Sequence, residues 1–147
     1  MMRRVISHEI GHALGLPHNM KASSAYPVDS LRSGNFTQKF GIATSIMDYA
    51  RYNYVAQPGD TNIRFVRQLG PYDDYSIEWG YRYFGETPEY EREILRKIVD
   101  LKSLDPIYMF GGYGNDPNSQ TENIGDDPVK ASMYGIKNLK IVANNLE

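Results

Sequence analysis

The chain has 147 residues, 41% hydrophobic and 23% charged, with sixteen basic residues against eighteen acidic ones and a formal net charge of −2. That length suits one domain with a buried core, and the balanced charge offers no polyanion-binding face, so nucleic acid is not an expected partner. No apolar run approaches the roughly twenty residues of a membrane span, and the lack of cysteine removes disulfides, thiol catalysis and cysteine-based zinc sites while leaving the compartment open.

In chain order, the opening stretch MMRRVISHEIG has neither the long apolar run nor the small-residue cleavage site of a secretion signal. It runs straight into a histidine motif, and the chain reads as a piece of a longer protein. Residues 2 to 15 form a predicted helix with Val5, Ile6, Ile10, Ala13 and Leu14 at helical spacing. Gly15 and then Pro17 supply the stop. From Asn19 to Asp60 the chain is rich in Ser, Asn, Gly and Pro and reads as one long, largely irregular stretch.

Three further helices are predicted. The first runs from Asp73 to Phe84, with early acids suited to the positive helix end and Ile77, Tyr81 and Phe84 on its inner face. The second opens on the Thr87 cap and Pro88 and reaches Leu101, burying Tyr90, Ile94, Ile98 and Leu101. Asp127 and Pro128 open the last, whose stripe is Val129, Met133, Ile136, Leu139, Val142 and Leu146. Each stripe predicts helix packed on helix. Residues 109–127 between the last two helices read as a loop.

All three histidines lie in HEIGHALGLPH, residues 8–18. His8 and His12 are four apart, so a helix points both imidazoles from one face. Both nitrogens can then reach one ion at roughly 2.0–2.1 Å. Glu9 is rotated about 100° around the axis from His8, which aims it beside the metal where a water would sit. Gly15 can take the positive φ that ends a helix. Pro17 stiffens the turn, and His18 can return to the same ion. Three neutral histidines with one open corner make a catalytic site, whereas structural zinc sites close with four protein ligands.

The pattern resembles the zinc-binding consensus of the metzincin metallopeptidases. That resemblance implies a downstream methionine turn, and SIMDYA, residues 45–50, answers it. Met47 is then the Met-turn methionine that floors the ligand histidines. Tyr49 matches the position of a tyrosine that can approach the zinc in astacin-like and serralysin-like enzymes. Asp48 either hydrogen-bonds a ligand histidine or holds the turn, the turn being preferred, and Asn19 stabilises its loop through its side chain. Across nearly the whole chain the wording is similar to the catalytic region of large bacterial zinc-dependent proteases of Met-zincin type.

The resemblance implies zinc on His8, His12 and His18, peptide-bond hydrolysis with Glu9 as general base, and Tyr49 as a hydrogen-bond donor to the oxyanion. It implies a peptide or protein substrate and a periplasmic, secreted or cell-surface location. Metzincin domains carry a twisted sheet before the zinc helix, and seven residues before His8 cannot supply one. The expected fold is therefore mainly α with long irregular loops, the C-terminal part of a metzincin-like catalytic domain without its upstream sheet. Residues 1–147 form a single unit, with zinc helix, loop and Met-turn in 1–60 and a helical part in 61–147. The partner implied is the upstream part of the same catalytic domain in a longer parent. A zinc-binding fragment without activity and a helical interaction module that retains the motif stand as alternatives.

Overall fold

A computed structural model describes residues 2–146. Five α-helices follow one another: α1 (Met2–Ala13), α2 (Gly34–Phe40), α3 (Pro71–Tyr81), α4 (Pro88–Lys102) and α5 (Pro128–Asn144), with short 3-10 turns at Ala22–Ser24, Ser30–Arg32 and Pro106–Tyr108. Among the described residues there is no β-strand. The architecture is all-helical with long irregular connections.

Local chemistry explains where the helices start and stop. α1 ends because Gly15 sits at φ 85°, a conformation that costs glycine little. The Leu16 N–H then reaches the Gly11 carbonyl (3.0 Å) and the Gly15 N–H reaches that of His12 (2.9 Å), which is a Schellman cap. Asp127 caps α5 by accepting from the Lys130 N–H at 2.9 Å. Thr87 precedes α4 without a side-chain bond, so proline at the first turn carries that start. In α3, Asp73 reaches back to the Gly70 N–H at 2.9 Å.

Two expectations are corrected here. The stretch 19–60 is not uniformly irregular: Ser33 accepts from the Phe36 N–H and opens α2, and Gly41 at φ 78° closes it. The expected burial of helix stripes also fails. α4 buries no residue, and Tyr81, Tyr90, Leu101, Val129, Met133, Ile136, Leu139, Val142 and Leu146 are all exposed, while Ile77, Phe84, Ile94 and Ile98 reach only half-burial. α3 stops at Tyr81, short of Phe84.

α5 shows the physical reason. It turns Ala131, Tyr134, Gly135 and Asn138 inward, a small and polar face at helical spacing. The Asn138 amide donates to the carbonyls of Tyr54 and Ala56, each at 2.8 Å. The Gln57 amide donates to the Tyr134 carbonyl at 3.2 Å. Irregular chain buried under a helix brings carbonyls that need donors, and a polar helix face satisfies them where Leu and Val cannot.

The core lies in the connections. Tyr26, Val28, Leu31, Ile42, Val55, Ile124 and Ala131 form the buried cluster, and of these only Ala131 belongs to an α-helix. Met20, Ala22, Ile46 and Met47 are also buried, and Met47 lies against Gly11 of α1.

Candidate metal centre

α1 and its cap deliver the three histidines. His8 is 6% exposed, His18 half-buried and His12 exposed. The His8 Nδ1 donates to the Ile46 carbonyl at 2.9 Å and the His12 Nδ1 to the Leu16 carbonyl at 2.9 Å. A carbonyl only accepts, so both rings carry their proton on Nδ1 and present a lone pair at Nε2. His18 Nε2 lies 3.0 Å from that of His12 and 3.3 Å from that of His8. The candidate ligand atoms of all three lie within 4.8 Å of one another.

Lone pairs aimed at one point repel unless a cation sits between them. Tetrahedral bonds of 2.0–2.1 Å place ligand nitrogens about 3.3 Å apart, close to the two separations found here. The donor set is all imidazole, suited to zinc, and burial holds His8 and His18 below the usual histidine pKa, helped by the mutual repulsion of the rings. The residues fit the ion.

The Met-turn lies directly underneath. A Cβ placed on Gly11 would come 2.4 Å from the Met47 sulfur, so the helix backbone rests on the thioether between the two helical histidines. Tyr49 stands beside the centre, its ring centroid 4.5 Å from that of His18 and 5.6 Å from that of His8. Glu9 is exposed on α1 next to His8. Asp48 makes no bond to a histidine. It accepts from the Ser23 N–H (2.8 Å) and the Ala50 N–H (2.6 Å), tying the turn to the loop after His18, and its burial pushes its pKa up to about 7.

Asn19 does more than steady its own loop. Its amide donates to the Met109 carbonyl (3.0 Å) and its Oδ1 accepts from the Gly111 N–H (3.0 Å). This clamp, with the Lys21–Asp116 ion pair (2.6 Å), brings Tyr113 edge-on to His18 at 5.7 Å between centroids.

Several residues at the centre carry no motif signal. Asp73 accepts from the Ser45 hydroxyl (2.5 Å) and the Ile46 N–H (2.8 Å), and that hydroxyl in turn accepts from the Met47 N–H (3.0 Å), which belongs to the peptide whose carbonyl holds His8. Buried Arg67 donates to that same carbonyl at 3.0 Å. Gly11 was readable as part of HEIGH but its role was not, because Met47 is distant in sequence. Tyr113 sits among glycines in a loop without periodicity, and only the Asn19 clamp reveals it.

No curated protein and no solved structure is matched by the chain. A family profile described as Met-zincin matches residues 1–147. That match spans the histidine motif, the buried Met47 beneath Gly11 and the helices beyond, and the chain belongs to the Met-zincin family.

Proposed function

We propose that this chain carries the catalytic centre of a zinc metallopeptidase. The observation that carries the reading is the convergence of the three Nε2 atoms, with the Tyr49 ring against His18 and exposed Glu9 following His8 on α1. His8, His12 and His18 hold the ion. When bound, zinc supplies a Lewis acid that polarises a peptide carbonyl and lowers the pKa of water to about 7.

The chain's own groups do the rest. Glu9 accepts the water proton on its carboxylate and returns it to the leaving amine. The Tyr49 hydroxyl donates to the carbonyl oxygen as it gains charge, a contribution of about 10²–10³ in rate for one such donor. Met47 and Gly11 fix the height of the ligand rings, and Asp73 fixes the carbonyl that orients His8.

The metal-bearing face also has an apolar neighbour: Val5, Ile6, Ile10 and Leu14 of α1 are exposed. Such a face on the zinc helix supports a partial domain whose upper part comes from a longer parent and walls the substrate cleft.

The test uses Glu9→Gln. Elemental analysis should find about one zinc per chain in both parent and variant. Hydrolysis of a fluorogenic peptide should fall about 10²–10⁴-fold in the variant. Equal turnover would remove Glu9 from this role, and a parent without zinc would end the reading.

A further inference from the structure

The formal charge of −2 for the chain conceals a strong local imbalance beside α1. A cavity of about 530 Å³ is lined by Arg3 and Arg4 of α1 and by Arg64 and Arg67 of the segment before α3, together with Ser7 and Gln68. No Asp or Glu contributes to its wall. The ion pairs among the described residues involve other cations, namely Lys21, Arg32, Arg51, Arg82, Lys97 and Lys130. Four guanidiniums therefore share one small space with no carboxylate in its wall.

Their bonds within the chain leave donors over. Arg4 donates to the Arg51 carbonyl (3.0 Å) and Arg67 to the Ile46 carbonyl (3.0 Å), both through Nη1. The Arg64 guanidinium reaches the Gln38 amide oxygen at 3.5 Å. The Nε–H groups of Arg4, Arg64 and Arg67 are buried and have no hydrogen-bond partner among the described residues. Arg67 lies deepest, 6% exposed. Burial lowers its pKa, an effect that attraction to Asp48 opposes and repulsion from Arg4 reinforces. A guanidinium has five donors and cannot shed its charge by losing a proton, so a partly buried group of them calls for an anion.

Guanidinium forks match two anion shapes, carboxylate and phosphate. The number of cations chooses between them. A carboxylate carries one charge and two oxygens in one plane, which one or two forks exhaust. A phosphate group carries about −1.5 to −2 at neutral pH, and its oxygens point to several sides, so it can take forks from α1 and from residues 64–67 together. The cavity volume suits a phosphate with a small carrier.

We propose that this cavity is a binding site for a phosphate group, held by Arg3, Arg4, Arg64 and Arg67 with the Ser7 hydroxyl as a further donor. None of these residues is a metal ligand, so the site stands whether or not the chain hydrolyses peptides. Its link to the metal centre is the Ile46 carbonyl, which accepts from Arg67 and from the His8 Nδ1 alike.

Calorimetric titration with inorganic phosphate tests the site, on the zinc-loaded chain and on the metal-free chain, with ionic strength held by chloride. Arg67 also anchors the Met-turn, so the variant used is Arg3→Gln/Arg64→Gln, whose circular dichroism should match that of the parent. Arg92→Gln/Lys140→Gln removes the same charge from α4 and α5, outside the cavity, and serves as the control. Phosphate should bind the parent saturably in both metal states. Binding should weaken more than about tenfold in Arg3→Gln/Arg64→Gln and less than about twofold in the control pair. Succinate, which spreads two carboxylates along a chain, should bind more weakly than phosphate. Phenyl phosphate distinguishes the sources of the group: binding equal to that of phosphate assigns a phosphate ester, and weaker binding assigns the free ion.

Phosphate affinity that survives in Arg3→Gln/Arg64→Gln, or falls equally in the control pair, would overturn the site. Binding seen only with zinc present would place the anion on the metal and overturn it also. Succinate held more tightly than phosphate would give the cavity to a dicarboxylate and end the phosphate assignment.

Discussion

The stretch 42–50 and helix α4 invert the usual relation between regular structure and burial. Every residue of 42–50 is buried except half-buried Tyr49, though none is helical. α4 is a full helix and buries nothing. Helical backbone satisfies its own polar groups and can sit anywhere. Irregular backbone can enter a core only where its N–H and C=O groups find partners outside a helix ladder, and around 42–50 they do: Asp73 takes the Ile46 N–H, Asp48 takes that of Ala50, His8 and Arg67 take the Ile46 carbonyl, and distant backbone pairs with Thr44 and the Met47 carbonyl. Burial of this stretch follows the partners found for its backbone.

The sharpest way to break that contrast is Asp73→Ala, which strands the buried Ile46 and Gly70 N–H groups. Each lost acceptor costs about 1–3 kcal/mol, so urea unfolding should show a loss of about 3 kcal/mol or more, accompanied by weaker zinc binding as the His8 anchor loosens. A loss under about 1 kcal/mol would mean that the turn stands without its acid.

Gly11→Ala comes next. In a free helix the change gains about 1 kcal/mol, but here the methyl meets the Met47 sulfur. Overpacking of this kind costs about 1–3 kcal/mol, and the sign of the shift in thermal midpoint decides between them. Stabilisation would show that the Met-turn does not bear on α1.

Asp48 gives a pH signature. Burial raises its folded pKa to about 7 from 3.8. A raised carboxyl favours the folded state fully below its unfolded pKa and loses that contribution as pH rises through the folded one. The thermal midpoint of the parent, relative to Asp48→Asn, should therefore fall between pH about 4 and about 8. A flat difference would place the charge elsewhere.

The smallest effect belongs to the other side of the contrast. Leu139→Ser in α5 and Leu101→Ser in α4 remove exposed apolar groups and should change stability by no more than about 0.5 kcal/mol. A cost of about 2 kcal/mol in either would show that these faces are covered in solution.

Much of the centre was legible before any fold was known. His8 and His12 at four residues, the Gly15 cap and the return to His18 are all local, and each geometric step follows from helix pitch and the conformational freedom of glycine. Met47 and Tyr49 were legible only through resemblance, because nothing in the residues between 18 and 47 says which loop folds under α1. Asp73 read as a helix-start acid, which it is. Its second use, holding Ser45 and Ile46, is invisible along the chain.

By itself the sequence determined four of the five helices, the caps at Gly15 and Asp127 and the histidine spacing, since each depends on atoms a few residues apart. Tertiary structure alone decided which helix faces turn inward and how the centre is supported. The His8–Ile46 bond spans 38 positions and the Asn19–Met109 bond spans 90. α5 presents Asn138 rather than Leu139 because the carbonyls of Tyr54 and Ala56 needed donors. Hydrophobic periodicity records where apolar side chains lie on a helix. It does not record whether the surface that helix meets is apolar or a run of unsatisfied backbone.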